Sequence, residues 1–240
     1  MTQERFAGSV VLVTGAAGAL GQVVTREFLT EGARVLACDV SEDRLSAFAI
    51  DLGEYGRRFA HAAADLIADD GARQAVQACL DVHGRIDVVA NIAGGYLGGV
   101  GVPDLTARQW DFMQDLNVRT VFNTCRAALP SMRSQKHGKI VNVSARAGLS
   151  GIAGLSAYSV AKAGVRVLTE SLSEEVKDDD INVNAIMPSI IDTPANRESM
   201  PTADHATWVS PTEIARVILF LASEDARAIH GAAIPVYGRV

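Results

Sequence analysis

The sequence predicts an α/β fold, a single doubly wound parallel sheet of seven strands flanked by helices. Three observations predict it. Short β-branched runs alternate with longer helical patterns along the whole chain. The runs are apolar on both faces, as strands must be when helices cover a parallel sheet on each side. No composition shift, Gly/Ser linker or internal repeat divides the 240 residues, a length at which one α/β domain can bury a large core.

The first strand reads SVVLVT at 9–14, and a helix over roughly 18–32 follows it. ARVLACD at 33–39 is the second strand, with a helix opening near Ser41. RRFAHAAAD at 57–65 is a weaker third strand ahead of a helix at 68–83. IDVVAN at 86–91 is the fourth, and a long helical pattern at 106–134 separates it from the fifth, GKIVNVS at 138–144. A helix over 155–178 leads to INVNAIM at 181–187, and one over 211–223 leads to a last weak strand, GAAIPVY at 231–237. KDDD at 177–180 reads as a helix end in solvent, because acids there oppose the macrodipole. Ser189 to Ser210, with Pro194 and Pro201 among polar residues, is long for a connection inside a compact domain and reads as a lid.

Composition narrows the partners. The net charge is -6 and the basic residues are scattered, so there is no electrostatic footprint for nucleic acid or an anionic membrane. A small soluble partner is expected. Cys38, Cys79 and Cys125 are widely spaced among apolar neighbours, which suits buried thiols in a reducing compartment. The five histidines form no i, i+4 pair and have no neighbouring cysteine ligand, so no metal site is predicted. The uncharged stretch Ser9–Thr25 carries glycines and threonines and is shorter than the ~20 residues a membrane span needs. The start MTQERF contains an acid and lacks a basic leader region, so a cytoplasmic protein is expected.

After the first strand comes TGAAGALG, Thr14 to Gly21, running into a helix. Gly15, Gly18 and Gly21 permit a tight turn, close approach of a pyrophosphate to the backbone, and close packing of helix on strand. The helix N-terminus then offers N–H groups to phosphates. Asp39 ends the second strand, where its carboxylate can accept from both adenosine ribose hydroxyls or can cap the helix near Ser41. An acid there would repel a 2′-phosphate, so NAD(H) is the preferred cofactor. Arg44 lies close enough to keep NADP(H) open. Asp65 closes the third strand, at adenine or as a cap. NIAG, Asn91 to Gly94, follows the fourth strand near the point where strand order should reverse. AYSVAKAG at 157–164 sets Tyr158 and Lys162 four residues apart, hence on one helix face and about 6 Å apart along the axis.

Glycine turn, Asp39, NIAG, Asn117, Ser144, Tyr158 and Lys162 stand in the order and spacing of the short-chain dehydrogenases/reductases, and the chain resembles that family over nearly its whole length. There are departures: Ala19 stands where the middle glycine is usual, with Gly18 before it, and Pro188 is followed by Ser189 rather than glycine. The resemblance implies a single Rossmann-type NAD(P)-binding domain over residues 1–240 with a substrate lid at about 189–210. The implied cofactor cradle takes Gly15, Ala17, Gly18, Leu20 and Gly21 from the first loop, and Asp39, Asp65 and Leu66 from the next two strand ends. Asn91, Ala93 and Gly94, the Tyr158–Lys162 pair, and Pro188, Ile191 and Thr193 complete it.

Moving a hydride to or from carbon requires a proton to move on the neighbouring oxygen. Tyr158 can supply it if the Lys162 ammonium pulls the phenol below its usual pKa of ~10. Ser144 can polarise the substrate oxygen. By resemblance Lys162 also holds the nicotinamide ribose, and Asn117 holds a water that passes protons to Lys162. Arg146 is a candidate for an anionic substrate, and Tyr96, Met187 and Trp208 are candidates for a flat apolar slot. The expected activity is hydride transfer between NAD(H) and a small carbonyl or alcohol. A 3-oxoacyl-thioester reductase using NADPH is the alternative within the family, and a non-catalytic dinucleotide sensor the alternative outside it. Residues 192–208 locally resemble the lid of dihydropteridine reductases, which raises quinonoid pterin reduction as a further alternative. The helices at 106–134 and 155–178 suit the interface by which family members form homodimers or homotetramers.

Overall fold

A computed structural model describes residues 4–53 and 55–240. Met1 to Gln3, part of the start read above for a leader, lie outside the described residues, as does Glu54.

Seven parallel strands form one sheet in the order β3-β2-β1-β4-β5-β6-β7. They are β1 (Val10–Thr14), β2 (Arg34–Asp39), β3 (Phe59–Ala63), β4 (Val88–Asn91), β5 (Gly138–Val143), β6 (Ile181–Pro188) and β7 (Ala233–Val236). Among the described residues eight α-helices join them: α1 (Ala19–Thr30), α2 (Glu42–Leu52), α3 (Asp69–His83), α4 (Ala107–Gln114), α5 (Thr120–Gln135), α6 (Ser156–Val176), α7 (Pro194–Ser199) and α8 (Pro211–Ala222). The alternation of β1 shows why both strand faces are apolar. Val11 and Val13 pack with Phe28, Leu45 and Ile218 from α1, α2 and α8. Val10 and Leu12 face the opposite layer, with Cys79, Met132 and Val165 from α3, α5 and α6. All three cysteines are buried and free.

Strand order reverses between β1 and β4, because β2 and β3 lie on one side and β4 to β7 on the other. In such sheets the carboxyl ends of the strands flanking the reversal open into a crevice for ligands. A Cβ added to Gly21 would come within 2.1 Å of the Gly15 carbonyl oxygen, so α1 lies against the first loop with no room for a side chain.

The structure corrects one sequence expectation and refines two others. The helix expected at 106–134 is interrupted by a π-helical turn, Asp115–Arg119. Asn117 supplies the reason: its amide donates to the Met113 carbonyl at 3.0 Å, four residues back, the acceptor its own backbone N–H would use in an α-helix. The KDDD segment ends α6 at the surface as expected, with Lys177, Asp178 and Asp180 exposed. Asp179 accepts from Arg133 at 2.9 Å and Lys136 at 2.7 Å, tying the end of α6 to the end of α5 and holding its carboxyl below the usual range. The segment after β6 is an ordered excursion closed at its base by a parallel bridge between Ile191 and Val209. Within it Thr193 caps α7, and the capping box of Ser210 and Glu213 starts α8.

Replacing Gly21 with alanine should lower stability by about 1–3 kcal/mol, because the methyl group meets backbone that cannot move aside. Urea unfolding checks this; a midpoint unchanged from wild type would show that the loop has slack.

Candidate active site

Thr14 and Asn91 are partners in the β1–β4 register. The Thr14 hydroxyl accepts from the backbone N–H groups of Ile92 and Ala93, each at 3.1 Å, and so holds the chain leaving β4 across the first loop. Gly15 has φ +61°, and a Cβ there would lie 2.8 Å from Ala93 Cα; only glycine serves at this crossing. Beyond it lies a cavity of roughly 1640 Å³ lined by Gly15, Gly18, Leu20 and Gly21. Helix α1 starts at this wall with Gly18 as its cap, no side chain capping it and no acid in its first turn. Backbone N–H groups and the positive end of the helix dipole therefore face the cavity, a donor set that fits a pyrophosphate.

Asp39 lines the same cavity at the end of β2. One carboxylate oxygen accepts from Ala17 N–H at 3.1 Å and the other from Ser41 N–H at 3.4 Å, so Asp39 fastens the glycine loop as well as facing the cavity. Ala17 lies behind this wall, and its carbonyl accepts from the Arg44 guanidinium at 2.6 Å, which brings that cation to the cavity wall beside Asp39. Asp65 and Leu66 line the next stretch, with Asp65 accepting from Ile67 N–H at 3.0 Å. Ala93 and Gly94 after β4, Pro188 at the end of β6 and Ile191 beyond it line the far end. A dinucleotide fits this sequence of surfaces: Gly-loop N–H groups for phosphate, an acid for ribose hydroxyls, and small residues between the two.

Ser144, Tyr158 and Lys162 also face the cavity. Lys162 is buried in α6; its ammonium donates to the Val143 carbonyl at 2.9 Å and lies 5.9 Å from the Tyr158 ring centroid. A Cβ on Gly94 would fall 2.8 Å from Asn117 Oδ1 and 3.3 Å from Lys162 Nζ, so the β4 loop wedges between those two residues. The expectation that Lys162 lowers the Tyr158 pKa is corrected. Burial pushes the phenol up to about 12, with Tyr96 adding to the rise, and burial pushes the Lys162 ammonium down to about 8. The physical reason is that desolvation acts on each group directly, while the ammonium is engaged with Val143 rather than with the phenol oxygen. Ser144 donates to the Lys162 carbonyl at 2.7 Å, so its single proton is already committed.

Several predicted site residues stand elsewhere. The Asn91 amide is buried and donates to Asn142 at 2.9 Å, joining β4 to β5 rather than facing the cavity. Asn117 lies behind the wall, where it accepts from Gly95 N–H at 3.2 Å and donates to Gly95 O at 3.1 Å. Thr193 is off the cavity wall, where its hydroxyl caps α7 by accepting from Asn196 N–H at 3.2 Å. Trp208 packs on His205, ring centroids 4.4 Å apart, and both it and Met187 are buried away from the cavity. Arg146 reaches the rim but donates to the Val240 main-chain oxygen at 2.8 Å, with its guanidinium 5.3 Å from the Tyr237 ring centroid. Tyr96 does line the cavity. Ile152, Leu155 and Met200 line it too, in the 145–155 and lid segments expected to wall the pocket, whereas Phe112 and Leu116 were not expected, since each is an ordinary apolar residue until the fold turns it inward. Thr14 carried a signal, a hydroxyl residue at the strand end directly before a glycine turn.

A glycine loop at a helix N-terminus that shares its cavity with a tyrosine–lysine pair is the arrangement of an NAD(P)-dependent oxidoreductase acting on CH–OH or C=O groups. Residues 9–204 match the short chain dehydrogenase family, and the chain belongs to it. It is 33% identical over 243 residues to a 3-oxoacyl-[acyl-carrier-protein] reductase of Thermotoga maritima, covering 98% of each chain. It is 30% identical to a cyclopentanol dehydrogenase of a Comamonas species, covering 98% of this chain and 97% of that protein. Among solved structures, levodione reductase superposes with a TM-score of 0.90 at 30% identity, covering 98% of each chain. Among the described residues no helix is long and apolar enough to cross a membrane.

Because the folded chain holds the Lys162 proton less tightly than the unfolded chain does, stability attributable to this group rises as pH climbs from about 8 to about 10.5 and is flat below that window. The buried thiols act in the opposite sense above pH 9, so the test is a difference: urea stability of wild type minus that of Lys162→Met should increase between pH 7 and pH 9. A difference independent of pH would show that Lys162 keeps an ordinary pKa.

Proposed function

We propose that the protein is an NAD(H)-dependent reductase or dehydrogenase of a small carbonyl or alcohol, with Tyr158 as the proton-transferring group. The observation that carries this reading is that Tyr158, Lys162 and Ser144 open into the same cavity as the glycine loop and Asp39. When bound, the nicotinamide supplies or accepts hydride. Gly15, Gly18, Leu20 and Gly21 hold its phosphates and Asp39 its adenosine ribose.

A phenol pushed up to about 12 is fully protonated near neutrality, so Tyr158 is poised to donate to a carbonyl oxygen rather than to abstract a proton. Lys162 stabilises the phenolate left behind once charge develops there, a stabilisation worth most in a water-poor site. Ser144 turns its hydroxyl from the Lys162 carbonyl to the substrate oxygen, exchanging one hydrogen bond for another. Asn117 keeps Gly95 and the adjoining wall in place through its two hydrogen bonds to the Gly95 backbone. Residues 189–210 act as the substrate lid, supported by Ile190, Ala195 and Met200 on the cavity wall.

One observation favours a second reading of the cofactor. Arg44 stands in the cavity wall beside Asp39, and giving up its bond to the Ala17 carbonyl would free it for a 2′-phosphate. The acyl-thioester alternative, which the Thermotoga relative's activity supports, would then follow with NADPH.

The exposed Trp110, Phe122, Val160 and Val167 on α4, α5 and α6 support homotypic assembly into a dimer or tetramer. Light scattering at micromolar concentration should give a multiple of the 25.3 kDa chain mass, and a monomer mass would contradict it. Fluorescence titration should show NADH binding at least tenfold tighter than NADPH, about 1.4 kcal/mol; the reverse order would transfer the ribose site to Arg44. Tyr158→Phe should leave NADH binding within about twofold and reduce kcat by at least roughly 10²-fold. Retention of most activity would remove Tyr158 from the chemistry.

A further inference from the structure

The substrate half of the cavity has a chemistry of its own. Tyr96 is 66% exposed and Phe112 51% exposed, and both line the cavity with Leu116, Ile152, Leu155 and Met200. The Tyr96 ring sits edge-to-face with the Tyr158 ring, centroids 5.1 Å apart, so this aromatic surface stands beside the proton-transferring phenol. Gly98 makes room for that pose. A Cβ at Gly98 would come 2.2 Å from the Tyr96 hydroxyl oxygen and 2.4 Å from Leu155 Cδ2.

Charge is scarce on this side. Among the described residues that line it, the charged ones are Lys162, buried and donating to Val143, and Arg146, donating to Val240 and lying over Tyr237. The polar lid side chains are occupied within the lid: Asn196 donates to Ile191 O at 2.8 Å and Ser199 to Asn196 O at 3.0 Å. A phosphate or carboxylate would have to draw Lys162 or Arg146 from a main-chain oxygen, while an apolar ring would cover exposed aromatic surface without breaking a bond.

The geometry points to Tyr96 as a specificity-determining residue and to a flat, uncharged, conjugated ring ketone, or its alcohol, as the substrate class. This rests on the reductase reading above. The pose is also consistent with the electrostatic influence of Tyr96 on Tyr158, which helps keep that phenol protonated. A ring stacked on Tyr96 would bring its carbonyl beside the Tyr158 hydroxyl. An open chain of the same carbon number would have no face to stack.

The test compares kcat/KM with saturating NADH for acetophenone, 2-octanone and acetoacetyl-CoA in wild type, Tyr96→Ala and Gly98→Ala. The first two ketones have equal carbon number and no charge, and Gly98→Ala keeps the tyrosine but displaces its ring. Wild type should favour acetophenone over each of the others at least tenfold, and both variants should bring the acetophenone to 2-octanone ratio close to one, chiefly through KM. A wild-type ratio near one, or a ratio unchanged in both variants, overturns the inference while turnover of any of the three leaves the reductase reading standing. Turnover of none overturns the reductase reading instead, and calorimetric binding of acetophenone to the NADH complexes of Tyr158→Phe and of Tyr158→Phe with Tyr96→Ala then decides the aromatic wall. Binding weakened at least fivefold by the second substitution supports it; equal or absent binding refutes it.

Discussion

The crossing of two backbones between β1 and β4 governs how the rest of the site is arranged. Thr14 accepts two N–H groups from the chain leaving β4, and Gly15 passes so close to Ala93 that any side chain would collide with the backbone. With that crossing set, the N-terminus of α1 and the loop from Ile92 to Tyr96 become two walls of one cavity. Gly21 then fixes how near α1 can lie, and Asp39 reinforces the same loop from the β2 side through Ala17. Residues far apart in sequence therefore share one small region because the sheet reverses direction there.

Around this crossing the protein buries groups that would rather be hydrated. Lys162 is held in α6 against the Val143 carbonyl, and Tyr158 is pressed beneath Tyr96. Desolvation moves the two pKa values in opposite directions, towards the neutral form of each. Keeping two such groups out of water requires rigid surroundings. The π-helical turn at Asn117 and the clamp of that amide on Gly95 supply them, at a point where a regular helix would direct the side chain elsewhere.

Much was legible along the chain. The seven strands lie where β-branched runs placed them, since a parallel sheet covered on both faces leaves an unambiguous apolar signature in runs such as Val10–Thr14 and Ile181–Pro188. Sequence reading also placed Gly15, Gly18, Gly21, Asp39, Ser144, Tyr158 and Lys162, all of which line the cavity, because their spacing from strand ends is local information. It placed Asn91, Thr193 and Trp208 less well. Whether a polar group at a strand end faces the cavity or the neighbouring strand depends on what lies across from it, and Asn142 lies across from Asn91.

Sequence by itself determined the fold class, the glycine turn and the tyrosine–lysine pair, all of which rest on periodicity and short-range spacing. Only the tertiary structure decided the direction in which burial shifts the Tyr158 phenol, the diversion of Arg146 to Val240, and the apolar aromatic wall of Tyr96 and Phe112. The reason is physical. Desolvation, hydrogen-bond competition and the shape of a cavity depend on atoms brought together from distant segments, and no window of neighbouring residues contains them.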